Sequence, residues 1–144
     1  MSRESRRLAA ILLILFPAAV WGGVSLLTML VADDGYADNQ LRQDLWRAGH
    51  AHAAVLLVLS LVVLRYVDEA ELSPRLKSAT RHAFPLAAIL LPVAFFLSVL
   101  SEDATEPNAL INLAYLGAAS LIFGMLSLGI GLLRASRTPA SEPS

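Results

Sequence analysis

Four stretches of this chain are apolar over 18 residues or more and contain no aspartate, glutamate or lysine. They cover residues 8–31, 47–64 (extendable to 67), 83–101 and 109–133, with arginine only near their ends. A bilayer core about 30 Å thick is crossed by about 20 helical residues. In lipid a backbone must satisfy its own hydrogen bonds, which leaves the helix as the form for each stretch. The expected fold is therefore all-α, a polytopic membrane four-helix bundle over residues 1–134. The Pro/Ser-rich residues 135–144 read as a disordered cytoplasmic tail.

The first stretch raises the question of a cleaved signal. Its basic leader "SRESRR" fits one, but 24 apolar residues exceed the usual 7–15 and no small-x-small cleavage site follows, so a retained helix is expected. With 56% apolar and 16% charged residues the chain departs from soluble averages in the same direction. Net charge is −1, which gives no footing for nucleic-acid binding. There is no cysteine, so disulfides, thiolate metal sites and covalent c-type haem are excluded.

Orientation follows from the basic residues. Nine of eleven lie at the N-terminus, the middle loop or the C-terminus, and only Arg42 and Arg47 lie in the other two connections. The positive-inside rule then predicts a multi-pass plasma-membrane protein with both termini cytoplasmic. The outer loops are acidic and read as solvated surface, with a weaker alternative of cation attraction. In the first of them Leu41, Leu45 and Trp46 share a helical face, with Asp38 as the expected N-cap and Trp46 at the interface.

The fourth stretch carries Gly117, Ser120, Gly124, Ser127 and Gly131 at spacings of 3, 4, 3 and 4, a single stripe on a helix. Small residues let helices approach closely in lipid, so this stripe is expected to face other helices, with a dimer seam as the alternative. Residues 14–21, "ILFPAAVW", and 89–96, "ILLPVAFF", form a faint internal echo, and Pro17 and Pro92 are expected to kink their helices.

The chemistry-bearing motif is "HAH". His50 lies fifteen residues before Arg65, roughly 22 Å along a helix, which places it roughly 5–8 Å inside the outer boundary of the apolar core. An ionisable group there is a functional candidate. Residues two apart point about 200° apart, so His50 and His52 cannot both ligate one ion from a regular helix. One ring is expected to face the bundle and bond Ser98, Asn112 or Tyr115, which form a polar layer at that depth. Three readings stay open: neutral, hydrogen-bonded rings without a cofactor; a haem or transition-metal ligand; and a proton relay.

In "RAGHAHAAVLLVLSLV", "FFLSVLSEDATEPN", "YLGAASL" and "LGIGLLR" the chain resembles a group of small actinobacterial four-helix integral membrane proteins to which no activity is assigned. That group usually reads Ala-Gly after the second histidine, where this chain has Ala53-Ala54. At the His-x-His tripeptide alone it is similar to small membrane proteins related to subunit I of haem-copper oxidases.

Three functions compete. A non-enzymatic structural or accessory protein, alone as a homo-oligomer or as a subunit of a larger membrane complex, fits the absence of paired carboxylates, nucleophile–base pairs and phosphate loops. A haem- or metal-binding protein would use His50 or His52. A transporter or channel component needs polar groups at mid-membrane, which the sequence nearly lacks. The first is the reading the sequence favours.

Overall fold

The computed structural model describes residues 1–137, so the expected tail lies outside the described residues from residue 138 onward. Four helices are long and apolar enough to cross a membrane. They are α1 (Arg3–Ala32), α3 (Gln40–Tyr66), α4 (Pro74–Ser98) and α5 (Leu113–Ala135), with a single turn α2 (Asp34–Ala37) between α1 and α3 and a 3₁₀ turn (Ala109–Asn112) leading into α5. The all-α four-helix bundle expected from the apolar stretches is the fold observed. Ala135, expected in the tail, still belongs to α5.

Helices α1, α3 and α4 begin before their apolar stretches, where capping side chains allow it, but α4 stops at Ser98 rather than at residue 101, and α5 begins at Leu113 after the 3₁₀ turn rather than at residue 109. Ser2 starts α1 by accepting from the Ser5 amide at 3.2 Å. Ser73 caps α4, and Pro74 follows at the first helical position, where a missing N–H costs nothing. In the connection before α3, Asn39, not Asp38, caps that helix: its Oδ1 accepts from the Arg42 amide at 3.1 Å. The reason is local. Asp38 has helical backbone angles and closes α2, whereas Asn39 is extended, as an N-cap must be. The amphipathic turn predicted before the second span is the first part of α3 itself.

In space the helices form a row: α1 rests on α3, α3 on α4 and α4 on α5. Helix α4 is the centre, and half of its membrane-spanning stretch is buried, against 6% for α1. Its Ala83, Ala87, Ala88 and Ala94 are buried and bring both neighbours close. One apolar cluster joins Val63, Val67, Phe84 and Leu128, and another joins Leu56, Ala87, Ala88 and Leu91. The small-residue stripe of α5 meets this core. A Cβ on Gly117 would fall 2.8 Å from Leu91, on Gly124 2.8 Å from Phe84, and on Gly131 2.8 Å from Leu72. Ser120 Oγ donates to the Ala83 carbonyl of α4 at 2.9 Å, and Ser127 is half-buried. The stripe is thus an intramolecular contact face. The internal echo has no counterpart in packing, because Pro17 is exposed and Pro92 buried.

Candidate functional site

His50 and His52 leave α3 on different flanks. His50 turns toward α1, where Gly22 and Gly23 leave a notch: a Cβ on Gly23 would lie 2.9 Å from His50 Nε2, and one on Gly22 3.6 Å from Nδ1. The same ring lines a cavity of about 310 Å³ between α1, α3 and α4 whose other walls include Leu15, Ala18, Leu57 and Ile89. His50 makes no hydrogen bond among the described residues. His52 is exposed, its Nδ1 sits 2.7 Å from the Ala48 carbonyl one turn back, and its ring centroid is 5.2 Å from that of Phe95. The expected split of the two rings is therefore present, but the expected polar partner is not. Ser98 Oγ donates to Phe95 O of its own helix, Asn112 Nδ2 to Ala109 O of its own turn, and Tyr115 is 74% exposed. The cause is the row arrangement: α5, which carries Asn112 and Tyr115, lies two helices away from the flank of α3 that His50 occupies. Among the described residues no three histidine or carboxylate side chains are grouped as metal ligands, so no third ligand joins either ring.

The end formed by the α1–α3 and α4–α5 connections is closed by polar side chains that terminate α4. A helix leaves its last carbonyls without internal donors. Here Phe96 O accepts from Trp46 Nε1 at 3.1 Å, Leu97 O from Asn108 Nδ2 at 3.0 Å, Ser98 O from the Asn108 amide at 2.9 Å and Val99 O from Arg42 Nε at 3.3 Å. Arg42 is 4% exposed, places its cation at the negative end of the α4 dipole and lies 4.7 Å over the Trp46 ring. Gln43 ties down α2 through the Tyr36 and Ala37 carbonyls. Tyr36 stacks on Trp46, and burial pushes its phenol pKa up. Trp46, expected only at the interface, is a structural donor. Beside this plug the two outer loops enclose an acidic cleft lined by Asp34, Asp38, Glu102 and Asp103.

The opposite end, where α1 begins, holds a buried ion network that the sequence reading missed. Arg81, counted there only as a basic loop residue, is 4% exposed near the start of α4. Its guanidinium donates to Ser5 Oγ at 3.0 Å, to Asp68 Oδ1 at 3.0 Å and to Glu4. Asp68 also accepts from the Ser2 amide at 2.6 Å. Partial burial opposes ionisation of Asp68, but the donors Ser2, Ser5 and Arg81 outweigh it and hold the carboxyl at about 2. The network clamps the start of α1 to the α3–α4 connection. No sequence signal singled out Glu4 and Asp68, since Glu69 and Glu71 lie in the same connection as Asp68.

No family model matches the chain, and neither does any curated protein or solved structure.

Proposed function

We propose that the chain is a non-enzymatic integral membrane protein with a structural or accessory role, working as a subunit of a larger assembly in the plasma membrane with both termini in the cytoplasm. The observation that carries this reading is the use of its polar groups. Arg42, Trp46, Asn108, Ser120 and Arg81 each bond a backbone or an ion partner on another element, so these polar groups are spent on holding elements together. The outer face of α1 supplies the surface: Leu13, Ile14, Trp21, Leu27 and Val31 are exposed on a helix anchored at its inner end. The nine-to-two division of basic residues supports the orientation.

The test is native mass spectrometry after extraction from the source membrane into mild detergent. A complex of fixed stoichiometry with another membrane polypeptide, or with further copies of this chain, is the expected result. A bare monomer overturns the reading. The alternative, a haem or metal protein, rests on His50, which lines a cavity and has no hydrogen-bond partner among the described residues. Because Nε2 lies against Gly23, ligation there needs α1 to withdraw. A Soret band or stoichiometric metal in the same preparation would establish that alternative.

A further inference from the structure

Helix α1 leans on α3 and stands off from α4. The gap runs along a regular stripe of α1. Its inner part is a cavity of about 400 Å³ walled by Glu4, Arg7, Leu8 and Ile11 of α1 and by Ser78, Arg81 and His82 of α4. A second cavity, of about 310 Å³, lies further along both helices and is walled by Leu12, Leu15, Ala18 and Gly22 of α1 and by Pro85 and Ile89 of α4, with His50 and Leu57 of α3 behind them. The wall positions recur every three or four residues on both helices, so each presents one face to the gap.

The two parts differ in chemistry. The deeper part is lined almost wholly by apolar side chains. From Leu12 to Gly22 it extends about 15 Å at about 1.5 Å per residue, the depth of one leaflet of a core about 30 Å thick. At the inner mouth one cation, Arg7, is left over among the described residues. Glu4 and Arg81 neutralise one another there, and Arg81 is held further by Asp68 and Ser5. Arg7 is exposed and has no ion pair or hydrogen bond among the described residues. His82 is engaged through Nδ1 with the Ser78 carbonyl at 2.9 Å and lines the mouth. A ligand suited to this cleft has an anionic oxygen-rich group attached to a chain about one leaflet long.

We propose that the α1–α4 cleft binds one anionic glycerophospholipid from the leaflet nearest the chain's N-terminus. Its phosphate sits at Arg7 and the Ser78 hydroxyl, and one acyl chain lies along the Leu12–Gly22 stripe. Arg–phosphate contact supplies the choice of headgroup, and the apolar walls supply the chain site. The small side chains of Ala18, Ala19 and Gly22 keep the gap open.

The full chain in mild detergent is titrated with dioleoyl phosphatidylglycerol or dioleoyl phosphatidylcholine and read by native mass spectrometry. One phosphatidylglycerol per chain is expected, bound at least about fivefold more tightly than the choline lipid, the effect of roughly one basic side chain near a membrane surface. Arg7→Gln should abolish that preference. Arg134→Gln, an exposed arginine on α5 at the same end, should leave it intact. Ala18→Phe, at an exposed wall position, should expel both lipids while circular dichroism stays that of the parent. Equal retention of the two lipids, an Arg7→Gln protein with the parental preference, displacement by inorganic phosphate alone, or a lipid-free dimer closing the cleft would each overturn the proposal.

Discussion

Gly124 offers a test of the α4–α5 contact with an internal control on the same helix. A Cβ at Gly124 falls 2.8 Å from Phe84 Cε2 and 3.1 Å from Ala83 Cβ. Carbon atoms rest at about 3.5–4.0 Å, so the intrusion approaches 1 Å. Phe84 is 1% exposed and packs with Val63, Val67 and Leu128, so its ring has no free direction in which to move. Gly129 has nothing within 4 Å of its own added Cβ. Gly124→Ala and Gly129→Ala therefore share the gain in helix propensity, about 1 kcal/mol, and differ only in packing. Overpacking costs about 1–3 kcal/mol, and that is the expected gap between the two variants. At roughly 2–4 °C per kcal/mol for a chain near this size, the midpoints should separate by several degrees. Thermal unfolding in mild detergent, followed by helical circular dichroism, measures it. Gly124→Leu should widen the gap and Gly129→Leu should not. If the two alanine variants melt together, the stripe does not carry the α4–α5 contact and the argument fails.

Arg81→Met removes the only cation paired with Asp68 among the described residues and one donor to Ser5, and should lower stability by about 3 kcal/mol, the low end for a broken buried pair because Glu4 is exposed; an unchanged denaturation midpoint refutes it. Asp68 has its folded pKa below its unfolded value of 3.8, so its contribution is present above about pH 4 and fades as pH falls through about 2. Asp68→Asn should flatten that acid limb in a pH-resolved melt. His50→Ala empties the Gly22–Gly23 notch and should cost about 1–3 kcal/mol, whereas His52→Ala, at an exposed ring, should be near neutral; equal losses would show that the two rings act together. The chain has no native cysteine, so Thr105→Cys and Arg75→Cys report topology directly. An impermeant maleimide should label the first in intact cells and the second only after lysis, and the reverse pattern would invert the orientation.

The number of spans, their helical form and the contact face of α5 were legible in the sequence because each follows from a local rule. Apolar length sets a span, lipid enforces the helix, and glycine and serine at alternating three- and four-residue spacings mark a face whatever it meets. The split of His50 from His52 was legible for the same reason, since it depends only on helix geometry. The identities of the neighbours were not. Ser98, Asn112 and Tyr115 lie at a plausible depth for a histidine partner, but depth along a helix says nothing about which helices adjoin. The order α1–α3–α4–α5 put the Gly22–Gly23 notch, not α5, beside His50. Arg81 shows the same limit. As a loop arginine it counted only toward orientation, and its burial depended on Glu4, Ser5 and Asp68 arriving from positions 77, 76 and 13 residues away. Whether a charge is solvated surface or the centre of an ion network is decided by what tertiary packing brings within about 3 Å of it, and a chain's linear order holds no record of that distance.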